Sequence, residues 1–195
     1  MMDLDIPEKL VPVRDKIDQF VRGKIDPLTD EYYDEISVGD RWQLTDRQLE
    51  ILDGLKAEAK DAGLWNFFLP DSLGGAGVTN LEYAHLAEVM ARNPIASEIF
   101  NCAAPDTGNM EVIERYGSED QKKEWLEPLL DGKIRSAFAM TEPDVASSDA
   151  TNMAATIIED GDDVVINGKK WWSTGLGHPN AAITIFMGLS NPSTH

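Results

Sequence analysis

The sequence predicts an α+β fold in which an N-terminal α-helical domain precedes a smaller antiparallel β-domain. Two observations predict it. Apolar residues recur at helical spacing up to about residue 133, and the segments after that point read as short strands. Helices that come first and strands that follow indicate segregated layers and not a parallel βαβ sheet. We therefore assign residues 1–133 to the helical domain and residues 134–195 to an incomplete β-domain.

The helices are predicted from their start signals. Leu10, Val13, Ile17 and Phe20 share one face of a first helix. Each further helix opens with a capping box, in which a Ser or Thr is followed three residues later by Glu or Gln. The three boxes are Thr45 with Gln48, Thr79 with Glu82, and Ser118 with Gln121. Their predicted ends are Gly63, Asn93-Pro94 and Gly132, and shorter helices are expected within 94–103 and 108–116.

The strands are predicted from short β-prone runs between turn signals. These runs are Ile134–Met140, Ala154–Ile158, Val164–Ile166, Lys169–Ser173 and Ala181–Met187. The acidic segment 159–162 is expected to form a turn. Asn167-Gly168 predicts a type I′ hairpin that joins Val164–Ile166 to Lys169–Ser173.

Composition excludes several functional classes. The 195 residues include 35 Asp and Glu against 17 Lys and Arg, so the formal net charge is −18. Because this negative charge repels phosphate groups, nucleic acids and anionic lipid surfaces are disfavoured as partners. The sequence has no apolar run long enough for a transmembrane helix. A single cysteine, Cys102, excludes an internal disulfide and a Cys-based zinc site, and the three widely spaced histidines form no metal-binding pattern. The N-terminus resembles neither a secretory signal nor a transit peptide, which predicts a cytoplasmic protein.

The C-terminal end of the sequence predicts that part of the protein is absent from this chain. Only a polar tail follows the last predicted strand, and four or five strands leave at least one open sheet edge. We therefore expect this chain to be the front part of a longer protein.

The glycine-rich segment Leu73–Gly77 is interpreted as a structural loop. Counted from Gly75, the dinucleotide-binding pattern G-x-G-x-x-G requires a glycine at residue 80, which is Asn80. The preceding segment is also too short and too proline-bounded for a Rossmann strand. Glycines that supply positive φ between two helices explain the segment better.

Two other segments could bind a ligand. Residues 140–149 follow a predicted strand and crowd hydroxyl and amide groups that could bind carbonyl or phosphate oxygens, although a Ser-rich turn without ligand is the favoured interpretation from the residues alone. In the second segment, Trp171 and Trp172 would point to opposite faces of a strand. One indole could stack on a flat aromatic ligand with the Thr174 hydroxyl nearby, or the pair could serve as one core and one interface tryptophan.

Taken together, these segments resemble the acyl-CoA dehydrogenase family of flavoproteins. Phe138–Pro143, followed by Ser147-Ser148-Asp149, resembles the family's T-E-P and S-D signature, and Ile166–Gly175 resembles its I-N-G-x-K-x-W segment. Segments 63–77 and 116–122 also match family patterns in order. The resemblance implies a helical domain and a central β-domain, with the family's C-terminal helical domain absent from this sequence.

The resemblance also implies a function. Family members use FAD to convert an acyl-CoA thioester into a trans-2-enoyl-CoA, as in fatty acid β-oxidation: a carboxylate removes the α-proton, and hydride passes to flavin N5. By position, Met140 and Thr141 would meet the polar edge of the flavin, Trp172 would pack on its ring system, and Thr174 would lie near N5. The complete set of implied cofactor-binding residues is Phe138, Met140, Thr141, Ser147, Ser148, Trp172, Ser173 and Thr174.

The substrate assignments are implied in the same way. Ser148 would also lie where the CoA arm passes, and Ile99–Met110 would line the acyl pocket. The 141–149 loop is one residue longer than the common form, as in a subgroup associated with longer or branched acyl chains. The family's catalytic glutamate lies beyond the β-domain, so no catalytic residue is assigned, and Glu142 is a poor candidate for the base.

The implied partners are an acyl-CoA substrate, an electron-transfer flavoprotein as acceptor, and further copies of the chain in a homodimer or homotetramer. Two alternatives remain open at this point. An acyl-CoA oxidase would reoxidise the flavin with oxygen, and a non-catalytic subunit would bind flavin or CoA without turnover.

Overall fold

The computed structural model of the protein describes residues 5–40, 43–70 and 77–190. The chain divides into two compact units, Met1–Lys133 and Ile134–His195. The first unit is helical and the second carries short strands, which confirms the predicted α+β class. Each unit is described separately below.

Eight α-helices form the described part of the first unit. They are α1 (Val11–Phe20), α2 (Asp26–Asp34), α3 (Asp46–Asp61), α4 (Asn80–Met90), α5 (Ala96–Ile99), α6 (Asp106–Tyr116), α7 (Glu119–Gln121) and α8 (Glu127–Leu130). Short 3₁₀ turns cover Glu8–Leu10 and Glu35–Ser37. The side chains with almost no exposed surface include Ile17, Leu52, Leu86, Met90, Ile99, Phe100, Met110 and Leu129, so the unit has an apolar core of its own.

All three predicted capping boxes are confirmed. In the box that opens α3, Thr45 Oγ1 accepts a hydrogen bond from Gln48 N at 3.1 Å, and Gln48 Oε1 accepts one from Thr45 N at 3.0 Å. The boxes that open α4 and α7 have the same reciprocal pattern. Gly63 follows α3 with φ +70°, as expected of a glycine at a helix end.

Two π-helical turns join helices in the described part of the first unit. No helix was predicted over α2, whereas the helix predicted from Ser118 to Gly132 covers α7, α8 and the turn between them. Val21–Ile25 links α1 to α2, and Lys122–Leu126 links α7 to α8. Each turn comes directly before a proline at the second position of the next helix, Pro27 or Pro128. Proline has no N–H to donate to the carbonyl oxygen four residues earlier, and its ring clashes with that carbonyl group. A wider π-helical turn at that point removes the clash, so the helix continues.

The described part of the second unit contains four strands in two separate pairs. They are β1 (Arg135–Ala139), β2 (Thr156–Asp160), β3 (Asp163–Asn167) and β4 (Ala181–Phe186). β2 and β3 form an antiparallel hairpin. β1 and β4 pair in parallel, with Ser136 opposite Ile183, so the prediction of a purely antiparallel domain was wrong for this pair. Residues 140–180 separate the two strands and supply the long connection that parallel pairing requires.

The predicted turn within 159–162 is confirmed: it joins β2 to β3, and Gly161 in it has φ +67°. Asn167-Gly168 forms no second hairpin, since Asn167 ends β3. Residues 169–173 are not a strand, so the predicted second hairpin was wrong. The reason lies at Gly168, where an added Cβ would be 2.4 Å from the Cβ of Ala155. Gly168 thus lets the chain pass close to Ala155, and the chain makes no turn at this residue.

The apolar side chains of β3 are exposed: Val164 is 58% exposed and Ile166 is 55% exposed. Over the described ranges, no helix combines the length and the apolar character needed to cross a bilayer.

Candidate cofactor-binding site

Two segments that are distant in sequence lie side by side in the second unit. Residues 140–149 follow β1, and residues 168–175 follow β3. Trp171 N donates a hydrogen bond to Thr141 O at 3.0 Å, and Lys170 Nζ donates one to Met140 O at 2.9 Å. The structure therefore brings the residues predicted for the flavin's polar edge next to the segment that carries Trp172.

A buried ion pair lies between these segments. Lys170 Nζ is 2.7 Å from Glu142 Oε1, and the two side chains are 6% and 4% exposed. The carboxylate also accepts hydrogen bonds from Ala154 N at 2.7 Å and Ala155 N at 2.9 Å. Burial by itself raises the pKa of Glu142, but Lys170 and the two backbone N–H groups outweigh burial and hold this pKa below its ordinary value. Glu142 is therefore an ionised and fully engaged carboxylate.

The loop after β1 is closed by one of the predicted site residues. Ser147 Oγ accepts a hydrogen bond from Glu142 N at 2.7 Å and is buried. Its hydroxyl is also within reach of Val145 O at 3.3 Å and Glu142 O at 3.4 Å. Ser147 is therefore engaged in the loop itself. Ser148 next to it is exposed, which leaves its hydroxyl accessible.

Phe138 lies in β1 and is half-buried, as are Met140 and Thr141 directly after the strand. Within the described ranges, the Thr141 side chain makes no hydrogen bond, although its carbonyl oxygen accepts one from Trp171. A half-buried hydroxyl beside a backbone held by hydrogen bonds is suited to contact a polar ligand atom.

Trp172 is the most unusual residue of the site. It is 78% exposed, and its φ of +54° places it in the left-handed region, which bulky residues rarely adopt. Trp171 is 45% exposed, and the two ring centroids are 5.6 Å apart at an interplanar angle of 48°. The prediction that the two indoles point to opposite faces of a strand was wrong, because residues 169–173 do not form one.

The segment after Trp172 is held close to β1. Ser173 is half-buried, Thr174 is exposed, and the Thr174 hydroxyl lies 3.5 Å from Trp172 O. Gly175 has φ +92°, and a Cβ at this position would lie 2.5 Å from Ser136 O. Only glycine fits here without a shift of the backbone.

The sequence analysis missed the role of Lys170. A buried lysine is rare, and composition and periodicity do not distinguish Lys170 from the exposed Lys169, although the I-N-G-x-K-x-W pattern places its lysine at residue 170. Lys170 Nζ also lies 4.9 Å from the ring centroid of Phe186 on β4. The available signal was Glu142 itself, because a carboxylate requires a cationic or N–H partner once it is buried.

The residues predicted for the acyl pocket lie in the first unit. Ile99, Phe100 and Met110 have no exposed surface and belong to the core of that unit, whereas Ala103–Pro105 retain accessible surface. The Leu73–Gly77 loop lies outside the described residues apart from Gly77, which has φ +69°. No group of three or more His, Cys, Asp or Glu that could hold a metal ion occurs in the described ranges.

The chain matches two domain families. The acyl-CoA dehydrogenase N-terminal domain matches residues 7–133, and the acyl-CoA dehydrogenase middle domain matches residues 137–195. The chain is 49% identical over 195 residues to acyl-CoA dehydrogenase family member 10 of Mus musculus. That match covers 95% of this chain and 18% of the mouse protein.

Solved structures give the same result. A structure assigned to the acyl-CoA dehydrogenases from Mycobacterium abscessus matches with a TM-score of 0.87 and 50% identity. This match covers 98% of the present chain and 48% of the other. An acyl-CoA dehydrogenase from Bacillus anthracis, solved as a complex with FAD, matches with a TM-score of 0.61 and 25% identity over 95% of this chain and 30% of that one.

The chain thus spans about half of the M. abscessus structure and a smaller fraction of the mouse relative. Both of its units are matched by domains of one family, in the order in which that FAD-binding family carries them. The chain therefore belongs to the acyl-CoA dehydrogenase family.

Proposed function

We propose that the two segments of the second unit bind the isoalloxazine ring of FAD, and that the protein oxidises an acyl-CoA thioester to a trans-2-enoyl-CoA. We further propose that the two units act as domains with limits at 1–133 and 134–195. Membership of the family supports the reaction class. The contacts of the described residues support the location of the cofactor site.

One observation carries the cofactor proposal. Trp172 is both strained and exposed. A bulky residue at φ +54° costs about 1–3 kcal/mol of conformational free energy. Its exposed indole also leaves a large apolar ring in water, which is unfavourable. In the described part of the second unit, the Trp171 ring is the aromatic partner of this indole, and it leaves most of the Trp172 surface exposed, so both costs remain. A flat aromatic ligand stacked on the indole would offset both.

The neighbouring polar groups fit the same ligand. An isoalloxazine ring has an apolar edge and a polar edge with carbonyl oxygens and ring nitrogens. The Thr141 hydroxyl is available for a hydrogen bond, and the Met140 and Thr141 backbone is fixed by Lys170 and Trp171. We propose that Met140 and Thr141 bind the polar edge, that Trp172 packs on the rings, and that Thr174 lies beside the reactive nitrogen.

The other predicted residues take secondary positions. We propose that Phe138 supports the site from β1, that Ser147 shapes the loop after β1 through its hydroxyl, and that Ser173 shapes the second segment. Ser148, which is exposed, is proposed to contact the CoA arm or the outer part of the cofactor.

The chemistry divides between the cofactor and the chain. Bound FAD supplies the acceptor for the hydride that leaves the β-carbon. The residues of this chain bind and orient the ring and keep its polar edge fixed. Glu142 does not serve as the base, because its carboxylate is buried and already accepts three hydrogen bonds. We propose that a residue outside the described ranges removes the α-proton.

The partners are proposed from the family alone. They are the acyl-CoA substrate, an electron-transfer flavoprotein that reoxidises the flavin, and further copies of the chain in a homodimer or homotetramer.

The test is a visible spectrum of the protein purified from its complete reading frame. We expect flavin bands, release of FAD on denaturation, and bleaching of the bands when acyl-CoAs of different chain length are added without oxygen. A colourless protein that takes up no added FAD would refute the cofactor site. A flavin that no acyl-CoA reduces would refute the reaction and leave the site in place.

A further inference from the structure

We propose that the buried Glu142–Lys170 ion pair positions the two flavin-binding segments relative to each other, so that both residues act as positioning residues for the cofactor. This inference rests on the proposed function, because it concerns the same site.

All polar groups of the pair are satisfied within the second unit. Lys170 Nζ donates to Glu142 Oε1 and Met140 O, and it faces the Phe186 ring at 4.9 Å from the centroid. These three directions match the three N–H bonds of an ammonium group. Glu142 accepts from Lys170 and from the N–H groups of Ala154 and Ala155. A buried pair with every donor and acceptor satisfied holds one geometry.

The pair connects three stretches of chain. Glu142 belongs to the loop after β1, Ala154 and Ala155 precede β2, and Lys170 belongs to the segment that ends at Gly175. None of these residues lies in a strand, so Met140 O and the N–H groups of Ala154 and Ala155 have no partner in a named strand pair. Of these residues Ala155 is buried, Met140 is half-buried and Ala154 is exposed, and the two charged side chains supply the partners that their backbone groups need.

The connection reaches the proposed flavin contacts directly. Lys170 holds the carbonyl of Met140, and the next residue, Trp171, holds the carbonyl of Thr141. Trp172 follows at once. A shift of Lys170 therefore moves the indole and the Met140–Thr141 backbone apart, without any change in the residues that would touch the flavin.

The experiment compares four variants of the complete protein: Glu142→Gln, Lys170→Met, Lys170→Arg and Lys169→Met. Lys169 is the exposed neighbour of Lys170, so its loss changes the net charge equally and serves as the matched control. FAD affinity is measured by titration of the apoprotein. The fluorescence of bound FAD at saturation is measured separately, because a flavin stacked on an indole is quenched.

We expect Glu142→Gln and Lys170→Met to weaken FAD binding about tenfold, which corresponds to about 1.4 kcal/mol. We also expect the FAD that they bind to fluoresce more strongly, because the indole no longer lies on the ring. Lys170→Arg keeps the charge, but its larger planar guanidinium fits the buried site less well, so its FAD affinity should lie between those of the wild type and Lys170→Met. Lys169→Met should stay close to the wild type. A general loss of stability would lower the melting temperature without altering the fluorescence of bound FAD.

The outcomes separate this inference from the proposed function. Wild-type affinity and wild-type fluorescence in both Glu142→Gln and Lys170→Met would overturn the positioning role while the flavin site stands. Should Lys170→Met fail to fold, the isosteric Glu142→Gln decides. A wild-type protein that binds no FAD would overturn both the proposed function and the inference.

Discussion

Gly175 tests whether the segment after Trp172 is fixed against β1. A Cβ at residue 175 would lie 2.5 Å from Ser136 O, and Ser136 is fully buried in a strand that pairs with β4. The substitution Gly175→Ala therefore meets an atom that cannot move without breaking the strand pair. It also places a side chain at φ +92°.

The expected cost has two parts. A left-handed conformation costs an L-residue about 1–2 kcal/mol, and overpacking against a fixed neighbour costs about 1–3 kcal/mol. Together they give about 2–5 kcal/mol of lost stability. Gly177→Ala is the matched control, because residue 177 has open space around the same Cβ and no left-handed φ. Both changes restrict the unfolded chain equally, so this effect cancels in the comparison.

The assay is urea unfolding of the two variants and the wild type under the same conditions. Gly175→Ala should unfold at a clearly lower urea concentration than Gly177→Ala. If the two variants differed by less than about 0.5 kcal/mol, the ordinary range for surface substitutions, the close approach of this segment to β1 would be refuted.

Three further predictions concern other parts of the molecule. Trp172→Ala should lower the flavin content of the complete protein. The control is Tyr116→Ala, which removes an aromatic residue that is 81% exposed in the first unit and should leave the flavin content unchanged. Equal flavin content in both variants would count against stacking on Trp172. Thr79→Ala should cost about 1 kcal/mol of stability through loss of the α4 cap, measured by urea unfolding, and an unchanged midpoint would contradict the role of the capping box. Burial raises the pKa of the Cys102 thiol from 9.0 to about 11, so the folded state prefers the neutral thiol. The stability that this preference contributes is complete below about pH 9 and is lost as the pH rises through about 11. The stability difference between wild type and Cys102→Ala should therefore shrink across that window, and parallel stability curves would refute the assignment.

The parts of the fold that local sequence determines were predicted. A capping box consists of two residues three positions apart, so the box formed by Thr45 and Gln48 is visible in a short window of sequence. The change from helical to strand spacing is visible within short windows in the same way. The same locality explains why α2 was missed. Gly23 and Pro27 signal a break, and only the π-helical turn between them keeps the helix continuous.

The parts that depend on distant contacts were not predicted. Asn167-Gly168 is a strong hairpin signal, yet residues 169–173 form no strand after it, because Gly168 is needed for close passage beside Ala155. The parallel direction of the β1 and β4 pair requires the long connection between them, which no short window of sequence shows. A dipeptide preference is worth little against a packing requirement that another segment imposes.

The candidate site shows the same division. The resemblance placed Thr141 and Trp172 in one site from two short motifs, and the hydrogen bond between Trp171 N and Thr141 O brings their segments together. What holds the segments is Lys170 with Glu142, a contact across 28 residues that no periodicity reveals. Glu142, the carboxylate of the T-E-P motif, thus connects the loop after β1 to the segment that carries Trp172. Irregular backbone near a ligand cannot rely on strand partners. Here the two buried charges supply them, since Glu142 accepts from Ala154 N and Ala155 N and Lys170 donates to Met140 O, which gives the acidic residue of this loop a structural role beside the proposed flavin site.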